Sequence, residues 1–138
     1  MKFSFELKTN LTPQEIWPLY ANTEKWYQWE EQLKSISLDG DFATGTKGEM
    51  TLGEQPPMRF LLTSVKENEH FTDETTIPGM GTIAFHHQLE QENDQTIIRH
   101  SVEFTTENGE EKKETAPFIA KIFQDVPAAV FALVEAAK

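Results

Sequence analysis

Two runs of twelve residues, GTIAFHHQLEQE (81–92) and QTIIRHSVEFTT (95–106), flank a single Asn93-Asp94 dipeptide. Both carry apolar side chains at every second position, the spacing of a half-buried β-strand, and Asn-Asp suits a hairpin turn by composition. A turn at that dipeptide sets Glu92 against Gln95 and thereby fixes every pair upstream. Ile83 opposes Phe104, Phe85 opposes Val102, and Leu89 opposes Ile98. Each apolar residue on this face meets an apolar partner, a match that a slip of one residue would destroy. A chain with this hairpin is committed to an antiparallel sheet with one apolar face.

The same register separates two adjacent histidines. His87 falls opposite His100 on the apolar face, between Phe85–Val102 and Leu89–Ile98, with Cβ atoms about 4.5–5.5 Å apart. His86 points outward, opposite Ser101. Three roles are open to the inward pair: neutral polar groups that bond each other, contacts to a carbonyl or hydroxyl of a bound molecule, or a metal or general-base site. Burial and mutual repulsion hold at least one imidazole neutral at pH 7. Zinc would want a third protein ligand, and none has the spacing, so neither a metal nor a cofactor is expected.

The rest of the chain supplies further strands and a few helices. KFSFELK alternates, with Phe3, Phe5 and Leu7 on one face. LTPQEI then marks a helix start: Thr12 as N-cap, Pro13 at the first position, Glu15 closing a capping box, and Leu11 and Ile16 placed as a staple. Pro18 limits that helix, and Asn22 or Thr23 can cap a second short one through EKWYQW. Strands follow at 33–38, 46–52, 58–66 and 70–77. If the 58–77 hairpin turns at Glu67-Asn68, then Phe71, Asp73, Thr75 and Ile77 share a face and Asp73 is an interior carboxylate. A longer turn or a rim position would leave it exposed, as most aspartates are. The C-terminus reads as one long helix capped by Thr115, with Ile119, Ile122, Phe123, Val126, Val130, Leu133 and Val134 in an apolar stripe and a kink at Pro127.

Composition narrows the function classes. The net charge of −11 repels phosphate backbones and anionic membranes, so no nucleic-acid partner is expected. No stretch reads as a membrane span or a secretory leader. With no cysteine among 138 residues, disulfides and thiolate metal sites are excluded and a cytoplasmic location is the default. The length suits one domain over 1–138. GDFATGTKG (40–48) lacks both the spacing of a phosphate loop and a following helix. The carboxylate pairs Glu30-Glu31 and Glu110-Glu111 read as solvated surface.

The order is therefore one strand, two short helices, six antiparallel strands and one long helix, an α+β chain. A curved sheet with one helix on its concave side and bulky residues on both surfaces leaves a gap between them. This order, with TPQEIWPLYAN, KWYQWEEQLKSISLDGDFATGTKGEM and the final helix, resembles the helix-grip fold of the START/Bet v 1-like (SRPBCC) superfamily, specifically its bacterial polyketide cyclase/dehydrase-like members. The resemblance covers almost the whole chain. NTF2-like domains lack the long C-terminal helix, and lipocalins lack the helical pair. The fold it implies is a curved antiparallel sheet of about seven strands wrapped around the C-terminal helix.

The expected function is binding of a small hydrophobic molecule, lipid or polyketide-like, in that gap. The candidate ligand-binding residues are Trp29, Phe60, Phe71, Asp73, Phe85, His87, His100, Val102, Ile119 and Phe123. Leu62, Phe104, Ile122 and Val126 complete the apolar walls. The resemblance also implies two alternatives: a cyclase or dehydratase moving a proton through His87 or His100, and an interaction module like the Hsp90-activator relatives. A homodimer is left open.

Overall fold

The computed structural model describes every residue from Met1 to Lys138. Strand β1 (Lys2–Thr9) leads into helix α1 (Pro13–Ala21) and a 3₁₀ segment (Thr23–Gln28). Six strands follow: β2 (Leu33–Leu38), β3 (Lys47–Leu52), β4 (Met58–Lys66), β5 (His70–Ile77), β6 (Gly81–Glu92) and β7 (Gln95–Thr106). Two helices close the chain, α2 (Thr115–Phe123) and α3 (Val126–Ala137). All seven strands form one antiparallel sheet in the order β1-β7-β6-β5-β4-β3-β2. Helix α2 packs on β7 and β1, while α3 reaches α1, β1, β7 and the 3₁₀ segment.

The β6–β7 register is the one the sequence dictates: Ile83 opposes Phe104, Phe85 opposes Val102, His87 opposes His100 and Leu89 opposes Ile98. Asn93 takes a positive φ of 57° at the turn, a conformation asparagine tolerates better than most residues. The β4–β5 hairpin is less simple. Its turn has three residues, since Lys66 pairs with His70, and this shifts the register by one. A bulge between Leu62 and Ser64 restores it, so that Leu62 opposes Asp73 and Leu61 opposes Glu74. Bulges insert one residue and bend the strand. Here the two irregularities cancel, and Phe71, Asp73 and Thr75 are all buried.

Local chemistry sets the helical pair. The Thr12 side chain accepts from the Glu15 amide and the Glu15 carboxylate accepts from the Thr12 amide, satisfying donors that a helix start otherwise leaves orphaned. At the other end the Trp29 indole donates to Leu19 O (2.9 Å) and the Trp26 indole to Tyr20 O (2.7 Å). Two tryptophans thereby satisfy last-turn carbonyls of α1 and pull the 3₁₀ segment against it. Asn22 caps that segment through the Glu24 amide.

Three expectations need correction. The C-terminal helix is broken at Gln124-Asp125, ahead of Pro127, which occupies the first turn of α3, where its missing N–H costs nothing. Thr115 is the first residue of α2 and does not cap it. Thr115–Ala137 is, by length and composition alone, apolar enough to cross a bilayer, with a mean hydropathy of 1.5; here it is the packing layer on β1, β7 and α1. Of the GDFATGTKG glycines, Gly45 has a positive φ of 97° and belongs to a turn. Gly48 lies within β3, where an added Cβ would stand 2.4 Å from the Phe60 ring, so its role is to let Phe60 lie flat on the sheet.

Candidate ligand site on the concave face

The inward face of β5, β6 and β7 carries two polar groupings, one beside the other. The first surrounds the histidines. His87 and His100 meet edge to face with ring centroids 4.7 Å apart, but they do not bond each other. His87 Nδ1 donates to Phe71 O (3.3 Å), and its ring stacks on the Phe71 ring with centroids 3.9 Å apart and planes within 6°. His100 Nε2 bonds the Tyr20 hydroxyl at 2.7 Å. Trp29 closes the group with its ring about equally far from both, 6.0 Å from His87 and 6.0 Å from His100. Burial disfavours every charged form here. It lowers the pKa of His87 well below its usual value, with His100 adding to the effect, and lowers that of His100 to about 3. It also raises the Tyr20 phenol well above its ordinary value. The group is neutral throughout the physiological range.

The gap expected between sheet and helix is filled at this point. Trp29, Phe60, Phe71, His100, Val102 and Ile119 are each no more than 4% exposed. Phe42, from the loop before β3, also folds in, with edge contacts to Trp17, Trp26 and Phe71. Two depressions, of about 120 and 330 Å³, lie elsewhere, around Phe104, Thr106, Lys112 and Thr115.

The second grouping lies one step along β5, where Asp73 and Thr75 follow Phe71 on the same face. Asp73 is 2% exposed and Thr75 7%. Asp73 Oδ1 and Thr75 Oγ1 have no hydrogen-bond partner, and they are the buried side-chain polar atoms in that condition. Across the strands Asp73 has only Leu62 and Phe85 as neighbours. Desolvation, reinforced by the charges of Glu30 and Glu74, pushes its carboxyl up to about 8. Glu30 follows the 3₁₀ segment and is half-buried. Its carboxyl is pushed up to about 7, first by desolvation and then by Asp125 at the break between α2 and α3. Asp125 at the helix break thus acts on Glu30, and Glu30 on Asp73. No lysine, arginine or histidine forms an ion pair with any of them. Near this corner the inward-facing Phe85, Ile77, Ile122, Phe123 and Val126 are only half-buried.

Sequence reasoning placed His87, His100, Phe71, Val102 and Asp73 on this face, and they are there. It missed two participants. Tyr20 lies on α1, outside any strand register, and only the packing of α1 on the sheet aims it at His100. Glu30 had been read as solvated surface with Glu31; the irregular stretch between Trp29 and Leu33 turns the first inward and leaves the second exposed. Arg59, which shares β4 with Phe60, points outward and pairs with Asp39 (2.7 Å). His86, expected in solvent, is half-buried on the outer face between Thr72 Oγ1 and Glu103, each at 2.9 Å.

No family model and no curated protein matches the chain by sequence. Solved structures match it over nearly its full length. Protein MLL2253 from Mesorhizobium loti superimposes with a TM-score of 0.77 at 10% identity, covering 99% of this chain and 96% of that one. Ara h 8.0201 gives 0.73 at 15% identity, covering 99% and 97%. Norcoclaurine synthase from Thalictrum flavum gives 0.70 at 14% identity, covering 98% and 84%. At these identities the agreement speaks to the arrangement of the chain, and on that ground the protein has the helix-grip fold of the START/Bet v 1-like superfamily.

Proposed function

We propose that the protein binds a small, largely apolar molecule at the corner between the concave sheet face around Asp73 and the break between α2 and α3. One observation carries this reading: Asp73 Oδ1 and Thr75 Oγ1 are buried side by side with nothing to bond. An unsatisfied buried polar group costs about 1–3 kcal/mol, and a bound molecule that supplies the missing partners recovers that cost. The half-buried apolar residues beside these atoms give such a molecule a surface to cover. The histidine group has its partners already and serves as the closed inner wall.

A second reading, proton transfer on the bound molecule, draws support from Asp73 alone: with its carboxyl near 8 it carries a proton at neutral pH and can donate it. It moves the chemistry of a cyclase or dehydratase away from His87 and His100. The interaction-module reading has less to draw on, because the exposed large apolar side chains, Tyr27, Met80 and Phe131, belong to three different elements.

The binding reading is tested with the uncharged fluorescent probe N-phenyl-1-naphthylamine. It should bind saturably at one site per chain, and Thr75→Phe, which puts a bulky ring at this corner, should weaken binding at least tenfold. Val126→Trp repeats the test from the helix side. Fluorescence that rises without saturating, or that neither variant changes, would overturn the reading.

A further inference from the structure

The corner around Asp73 has a charge balance that an apolar ligand alone does not explain. Glu30, after the 3₁₀ segment, lies within electrostatic reach of both Asp73 on β5 and Asp125 at the helix break. None has a basic partner in the folded chain. Only Asp73 is fully buried, Glu30 being half-buried and Asp125 exposed, and a buried carboxyl with no basic partner stays protonated until a positive charge reaches it. Thr75 supplies an independent pointer, since its hydroxyl is more than nine-tenths buried beside Asp73 and also lacks a partner. Both a carboxylate and a hydroxyl accept hydrogen bonds, so the missing group is a donor, and the negative charges of Glu30 and Glu74 around Asp73 favour one that carries positive charge.

We propose that this corner receives the ammonium head of an organic cation whose apolar body covers the half-buried Phe85, Ile122 and Val126. The inference rests on the apolar-site reading above and adds the ligand's charge. An organic ammonium fits better than a metal ion. Hard cations take six or more oxygen ligands at short, fixed distances, and no three acidic or histidine side chains here converge closely enough to hold one. An ammonium needs only two or three acceptors and gains from the apolar neighbours Leu62 and Phe85.

The proposal has a proton signature. The charged groups around Asp73 are Glu74 on its own strand, Glu30 from the turn after the 3₁₀ segment and Asp125 beyond it; β4 and β6 present the uncharged Leu62 and Phe85. All the charges are negative and all favour a proton on the empty site. A cation must displace that proton, so its affinity rises with pH across the range in which Asp73 ionises.

Calorimetric titration with octylamine hydrochloride and with 1-octanol, which differ only in the head group, tests this. Octylamine should bind at least tenfold more tightly than octanol at pH 8, and its affinity should fall on going to pH 6 while that of octanol stays level. Glu30→Gln should remove the amine's advantage and leave octanol unchanged, and Asp73→Asn should weaken amine binding more than octanol binding; Glu30 is half-buried, so its variant keeps the test alive if the other folds poorly. Equal affinities for amine and alcohol would overturn the cation and leave the apolar site standing. Binding of neither would overturn both readings. An amine preference that survives both substitutions would be attraction to the acidic surface and would also overturn the proposal.

Discussion

Two polar groups are buried on one face of one sheet, one on β6 and β7 and the other beside it on β5, and they are opposites. Around His87 and His100 the polar atoms are met by Tyr20, by a backbone carbonyl and by stacked rings. Around Asp73 and Thr75 they are met by nothing. Both groups lose solvation. The first compensates by becoming neutral and bonding within the protein, the second only by holding on to protons. The difference separates polar residues that build a core from polar residues that the fold holds in reserve. It also reverses the weighting that residue type suggests, because histidine pairs attract functional readings and a single aspartate on a strand does not.

The largest effect should come from breaking the satisfied group. Trp29 is 1% exposed, bonds Leu19 O and touches Tyr20, Trp26, His87 and His100. Trp29→Ala removes a buried aromatic together with the partner of a helix-end carbonyl, and should destabilise the fold by about 3–5 kcal/mol in urea unfolding. A loss under about 1 kcal/mol would mean that this region is not the tight plug its geometry describes. No single substitution at Asp73 or Thr75 should approach the larger figure.

The pH dependence of stability sharpens the contrast because the two groups have opposite signs. The folded-state pKa of His100 is about 3, below its ordinary 6.5, so the unfolded chain takes the proton first and stability falls as pH drops below 6.5. The folded-state pKa of Asp73 is about 8, above its ordinary 3.8. The folded chain therefore holds the extra proton, and stability falls as pH rises from about 4 to 8. Between 4 and 6.5 the two trends oppose. From 6.5 to 8 the histidines are silent, and Asp73 should lower stability by up to about 1.4 kcal/mol per pH unit, with Glu30 adding to this up to about 7. Chemical unfolding at pH 6.5 and 8 should show this decline in the wild type. Its persistence in Asp73→Asn would show that the corner is not its source.

How much of this could be read from residues alone follows the same division. The sheet and the inward pair were legible because a period of two and one turn dipeptide determine a register, and His87 opposite His100 is a consequence of that arithmetic. Asp73 was legible by parity, although its hairpin reached the expected facing through a longer turn and a compensating bulge. Glu30 and Tyr20 were not. Glu30 sits in a stretch without periodicity, where no rule says which of two adjacent glutamates turns inward. Tyr20 finds His100 eighty residues away through a packing of helix on sheet that strand patterning does not encode. The break at Gln124-Asp125 was hidden as well, since proline suggested a kink two residues too late.

The smallest effects are the most discriminating, because they remove one hydroxyl from each group. Tyr20→Phe keeps the ring and its contacts and deletes only the partner of His100 Nε2. It leaves a buried nitrogen unsatisfied and should cost about 1–3 kcal/mol. Thr75→Val keeps the shape and deletes a hydroxyl that has no partner. It leaves nothing unsatisfied, and replacing a lone buried polar group with an apolar one should be neutral or stabilising by about 1 kcal/mol. The same chemical change thus has opposite signs in the two groups, read as a shift in urea midpoint at constant slope. If Thr75→Val destabilises as much as Tyr20→Phe, then the Thr75 hydroxyl has a partner in the folded chain and the corner is another closed part of the core. If it stabilises the empty protein and weakens octylamine binding, then stability was forgone at that position to keep an acceptor free, as a site with a missing ligand requires.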